Sequence, residues 1–225
     1  MRATALSITQ ASESGLVYTP TEISALSAVA KDNGLSVHMD GARFSNAVAS
    51  QQCTPAELSW KAGVDVLCLG ATKCGALCAE VVIFFNKELA ATFTHRRKRG
   101  GHLLSKGRVF GAQMVGWLQD DHWLDLAQYA NTQATQLAKQ IATFDRLQLV
   151  WPVESNELFV IMPKGLAVHL QDAGAEFYDW YVTTLPPNIL IDEDEMFARL
   201  VTSFVTQDSQ CEAFCELIHD YFAAQ

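Results

Sequence analysis

The first hundred residues alternate between short strand-like segments and amphipathic helical ones, and that alternation constrains the fold more than any other feature. Strand patterns cover 3–8, 35–39, 64–69 and 80–85. A helix pattern opens at Thr19-Pro20-Thr21-Glu22, with Thr19 as N-cap, Pro20 at the first helical position and Glu22 closing a capping box. Ile23, Leu26, Val29 and Ala30 form its apolar stripe, and Asn33-Gly34 ends it. Further helices are expected over 43–51 and near 55–62. The segment 80–85 reads as a second buried strand directly after 64–69. Strand, helix, strand, helix, strand predicts an α/β fold with a largely parallel sheet.

The pattern changes beyond residue 108. Long helical stretches run through 108–119 and 123–143. Strands are expected at 157–162 and 199–204, with a helix over 165–173 between them. The last helix covers 208–223, with Cys211, Phe214, Cys215, Leu217, Ile218 and Tyr221 on its apolar side. The expected organisation is therefore a first domain over 1–126 and a smaller α+β domain over 127–225. A length of 225 residues with 49% hydrophobic and 18% charged residues suits such a pair and excludes a disordered chain. The formal net charge of -9 argues against nucleic acid as a partner, since phosphate neutralisation needs clustered Lys and Arg. Only Arg96-Arg97-Lys98-Arg99 is locally basic.

Six cysteines stand at 53, 68, 74, 78, 211 and 215. Met1-Arg2-Ala3-Thr4 leads into a mixed polar stretch that does not read as a signal peptide, so reduced thiols in a cytoplasmic protein are expected. Neither Cys74-x3-Cys78 nor Cys211-x3-Cys215-x3-His219 matches paired zinc-ligand spacing, and no metal is expected. The second set lies on one helix face, where cysteine acts as a small apolar residue. No apolar run reaches the ~20 residues of a membrane span.

Ligands of open α/β sheets bind at the carboxyl ends of strands. Two polar groups stand at such ends. Asp40 closes the strand 35–39, and Lys73 follows the strand 64–69, 33 residues later. That separation is about one βαβ unit, so the two strands are expected to be neighbours. Lys73 is either a solvated surface lysine or, bracketed by Gly70 and Gly75 in a tight, partly buried turn, one poised for Schiff-base chemistry. Asp40 either caps the next helix or is a buried partner for a cationic nitrogen. Arg43, in the first turn of that helix, either lies on its surface, pairs with Asp40, or forks a substrate carboxylate.

Five segments together resemble one family. His38-Met39-Asp40-Gly41-Ala42-Arg43 is similar to the H-x-D-G-A-R segment of threonine aldolases and related β-eliminating lyases. Gly70-Ala71-Thr72-Lys73-Cys74-Gly75-Ala76 is similar to their cofactor-lysine loop, with Ala71 and Cys74 where glycine and asparagine are usual. Arg96-Arg97-Lys98-Arg99-Gly100-Gly101 resembles their basic segment. Glu154-Ser155-Asn156 and Arg199-Leu200-Val201-Thr202 resemble positions of their small domain.

The resemblance implies a pyridoxal-phosphate transferase-like fold: an incomplete large domain with a mostly parallel sheet, then the smaller α+β domain. It implies pyridoxal 5'-phosphate as cofactor, a small amino-acid substrate and a homodimer or homotetramer. Lys73 would be the covalent attachment point and Asp40 the partner of the pyridine nitrogen. Arg43 and Arg199 would clasp the substrate carboxylate, with Arg43 also beside the cofactor. Lys98 or a neighbour would lie near a cofactor phosphate, of the same or an adjacent subunit. His38 would pack beside the cofactor or serve the strand alone. The implied reaction cleaves a 3-hydroxy amino acid such as L-threonine or L-allo-threonine to glycine and an aldehyde. β-Elimination from another amino acid draws on the same motifs. Roughly the first third of the family's chain, with its Gly-rich phosphate turn and stacking ring, has no counterpart here. A sheet edge should therefore be exposed, and 1–225 alone should be weak or inactive, or act only through association.

Overall fold

The computed structural model describes residues 3–225. They divide into two compact units, one holding the chain up to Glu13 with Val17–Gln128, the other Ser14–Leu16 with Tyr129–Gln225. The first unit contains β1 (Ala5–Thr9), α1 (Pro20–Asp32), β2 (Ser36–Gly41), α2 (Phe44–Gln51), β3 (Val66–Gly70), β4 (Glu80–Phe84), α3 (Phe93–Arg99) and α4 (Arg108–Leu118). It also holds the start of α5 (His122–Ile141). The strand order is β1-β2-β3-β4. β1, β2 and β3 are parallel and β4 is antiparallel to β3, so the sheet is mixed and mostly parallel.

The start of α1 forms as its residues dictate. Thr19 Oγ1 accepts from the Glu22 amide at 3.2 Å, and the Glu22 carboxylate accepts from the Thr19 amide at 2.8 Å. The buried stripe is Ile23, Ser27 and Ala30, with Val29 64% exposed. At 100° per residue Val29 lies about 120° from Ile23, outside the stripe. The expected helix near 55–62 is absent. Thr54 and Glu57 close a capping box of their own, but Ser59 leaves the helical region and only a 3-10 turn, Trp60–Ala62, follows.

The two faces of this sheet differ. Val37, Met39, Leu67 and Leu69 are buried with Ile23, Ala30, Phe44 and Val48 in one core. On the opposite face Ser7, Asp40 and Val82 are exposed and His38 and Cys68 partly so. Parallel sheets are normally covered on both sides. β4 is accordingly not the buried strand the sequence suggests: it is an edge strand, bonded on one side and partly exposed.

The second unit contains β5 (Gln148–Leu149), β6 (Glu157–Pro163), α6 (Lys164–Asp172), β7 (Tyr178–Asp179), β8 (Glu195–Val201) and α7 (Asp208–Ala223). Its sheet is antiparallel, in the order β5-β6-β8-β7. Leu158, Val160 and Met162 face a core shared with Leu166, Leu170, Cys211 and Ile218. Phe159, Ile161 and Phe197 face the other way, against Trp151 and Trp180. The strand expected at 199–204 begins at Glu195 and stops at Val201. Thr202 leaves the ladder because its hydroxyl donates to the Ala130 carbonyl at 2.7 Å, and Ser203–Thr206 then turns. β5 and β7 span two residues each, too few for a readable period. Cys211 and Cys215 pack on the inner side of α7.

Candidate active site

The parallel pairing of β2 with β3 sets Asp40 opposite Cys68 and leads both chains out at the same edge. The two loops that follow meet main chain to main chain. A Cβ on Gly70 would lie 2.9 Å from Ala42 Cα, so only glycine allows this approach. Asp40 thus stands at the carboxyl end of β2, and Lys73 on the loop that leaves the carboxyl end of the adjacent parallel strand β3.

The Lys73 turn is a short 3-10 helix, Thr72–Cys74, with a firm base. The Ala71 carbonyl accepts from the amides of Cys74 and Ala76, both at 3.1 Å. Ala71 and Cys74 are buried. The Trp117 indole donates to the Cys74 carbonyl at 2.6 Å, and the Cys74 thiol donates to the Trp123 carbonyl at 3.4 Å. Gly75 has φ +110°, a conformation that closes the turn and that side chains disfavour. Thr72 donates to Glu80 at 2.6 Å. Lys73 itself is exposed, as the reading of a solvated lysine has it, and not partly buried between its flanking strands. The fixed turn presents a free side chain.

Asp40 is exposed as well, since it stands on the open face of the sheet, so the alternative that made it a buried partner does not hold here. Its Oδ1 accepts from the Ala42 amide at 3.0 Å, bracing the loop. It does not cap α2, whose N-cap is Arg43, partly buried. Behind Asp40 on the same face, His38 bridges two strands, with Nδ1 2.8 Å from Ser7 Oγ and Nε2 3.3 Å from Cys68 Sγ. Burial raises the Cys68 thiol above its ordinary value, and the carboxylates of Asp40 and Glu80 raise it further.

Lys98 lies on the exposed α3, and no hydrogen bond or ion pair among the described residues ties it to either loop. Arg199 belongs to the second unit, on β8. Its Nη1 is 3.3 Å from Glu157 Oε1, and its guanidinium carbon lies 4.2 Å from the Trp180 ring centre. Neither Glu157 nor Trp180 stands out from the motifs. The one available sign was a carboxylate opening the apolar run Glu157–Met162.

In open α/β sheets small ligands bind at the carboxyl edge of the strands, the edge at which Asp40 and the Lys73 turn stand. Residues 1–164 match the model of the β-eliminating lyase family, and the chain belongs to that family. It is 49% identical over 173 residues to a low specificity L-threonine aldolase of Pseudomonas aeruginosa, an alignment covering 77% of this chain. A protein of the same description from Pseudomonas sp. strain NCIMB 10558 is 48% identical over the same length. The chain spans about half the length of these curated relatives, 50% in each case. Among solved structures, a Leishmania major threonine aldolase superposes with a TM-score of 0.86 at 28% identity, covering 97% of this chain and 61% of that one.

Proposed function

We propose that the protein is a pyridoxal 5'-phosphate-dependent lyase of the threonine aldolase type, acting on a 3-hydroxy amino acid such as L-threonine or L-allo-threonine. The observation that carries the reading is the placement of Asp40 at the carboxyl end of one parallel strand and of Lys73 on the turn that follows the carboxyl end of its neighbour. The relationship to threonine aldolases supports the choice of reaction.

The donor set suits the cofactor. An exposed amine on a fixed turn can form a covalent bond with an aldehyde, and a carboxylate one strand away can hold a proton on a ring nitrogen. In this reading Lys73 holds the cofactor, Asp40 partners its pyridine nitrogen, and Arg43 stands beside the cofactor and takes part in holding the substrate carboxylate. Lys98 serves a phosphate, of the same or an adjacent subunit. When bound, the cofactor supplies the electron sink that makes cleavage beside an amino-acid α-carbon accessible. Arg199 forks the substrate carboxylate and so decides which bond at the α-carbon is aligned for cleavage. A homodimer or homotetramer in the cytoplasm completes the reading, supported by six free thiols.

The family model describes β-eliminating lyases, which favours β-elimination as the second reading. The products separate the two. Whatever the rate, turnover of L-threonine by the cofactor-loaded protein is expected to release glycine and acetaldehyde in equal amounts. Release of 2-oxobutanoate and ammonia instead would establish β-elimination.

A further inference from the structure

We infer that Glu157 and Trp180 are positioning residues that lock the Arg199 guanidinium so that its free edge meets a substrate carboxylate. The inference rests on the reading of Arg199 as the carboxylate fork.

β6 and β8 place Glu157, Phe159, Ile161, Phe197 and Arg199 on one face of the second sheet, with Phe159 directly opposite Arg199. That face is aromatic. Trp151 packs on Phe159 at 5.0 Å and on Phe197 at 5.8 Å, and Phe159 packs on Trp180 at 5.7 Å. Two charged groups stand at its end. Glu157 is 2% exposed, sealed by residues 14–16, where a Cβ on Gly15 would lie 3.2 Å from Glu157 Cβ. The Arg199 side chain retains 26% exposure.

Burying a carboxylate here is costly unless a cation pairs with it. An apolar pair would serve stability at least as well, so neutralising Glu157 is a poor reason for Arg199 to be there. The two contacts instead restrict different motions. Glu157 holds Nη1 and so fixes the rotation of the guanidinium within its plane. Trp180 covers one face and so fixes the plane itself. The indole is fixed in turn, by its stacking on Phe159 and by its main-chain amide, which donates to the Phe197 carbonyl at 2.7 Å. A guanidinium has five N–H donors in one plane, and with Nη1 engaged the remaining edge is free to receive two carboxylate oxygens side by side.

The experiment joins two readouts. In 15N-labelled chain, the Arg199 Nη protons should resolve separately in the wild type and in Glu157→Gln, which keeps an acceptor, and should merge in Glu157→Ala and Trp180→Leu. In the cofactor-loaded protein, Glu157→Ala and Trp180→Leu should raise the threonine KM about tenfold with kcat within about twofold, and Glu157→Gln should restore KM to within about threefold. If Glu157→Ala does not fold, Trp180→Leu, at a partly exposed position, carries the comparison. Unchanged KM in both variants, while Arg199→Ala raises it, would overturn this inference and leave the carboxylate reading intact. Unchanged KM in Arg199→Ala would overturn that reading and this inference with it.

Discussion

At Gly70 one methyl group decides whether the two loops of the candidate site can meet. A Cβ there would press on Ala42 Cα, which is main chain and cannot swing aside. Gly70→Ala should cost about 1–3 kcal/mol, the usual range for overpacking, read as a lower urea midpoint. It should also displace the Lys73 turn from Asp40 and weaken cofactor attachment. The identities of Asp40, Arg43, Lys73 and Arg199 as polar groups at motif positions were readable in the sequence. Their exposure was not. Asp40 and Lys73 each had one reading that buried them, Asp40 as partner of a cationic nitrogen and Lys73 in a partly buried turn; which reading holds depends on what covers one sheet face, which no local pattern encodes. Glu157 and Trp180 were missed for a related reason: the β6–β8 register brings Glu157 from 42 positions away in sequence, and the β7–β8 pairing brings Trp180 from 19 positions away, onto Arg199.

Among the elements, those with a start signal and a long apolar stripe were the readable ones. α1 and α7 begin and end close to their expected limits. Thr54-Pro55-Ala56-Glu57 carries the same start as Thr19-Pro20-Thr21-Glu22 and even closes its capping box, yet no helix grows from it. A cap satisfies orphan amides; it does not supply the turns of buried stripe that hold a helix together. α7 has that stripe, and its packing has a consequence for pH. Burial, with a smaller contribution from Cys211, pushes the Cys215 thiol up to about 11 from 9.0. The folded state then keeps a proton that the unfolded chain gives up at lower pH. Stability from this group is therefore complete below pH ~9 and is lost as the pH rises toward about 11. Thermal unfolding followed over that range should show a steeper alkaline loss for the wild type than for Cys215→Ala. Equal slopes would mean that the thiol titrates alike in both states.

For the molecule as a whole, the alternation of strands and helices was enough to read a mostly parallel sheet followed by a second sheet-and-helix region. It could not show that residues 14–16 would join the second unit, because that depends on Ser155 donating to the Gly15 carbonyl at 2.9 Å, 140 positions along the chain. Nor could it show that one face of the first sheet would stay open, with His38, Asp40 and Cys68 upon it. The proposed function stands on Lys73 being the amine that takes the cofactor's aldehyde. Treatment of the chain with pyridoxal 5'-phosphate, borohydride reduction and peptide mapping tests this directly. The account expects saturable labelling concentrated at Lys73 and lost in Lys73→Ala. Labelling spread evenly over exposed lysines such as Lys31, Lys61 and Lys98, and undiminished in Lys73→Ala, would contradict it.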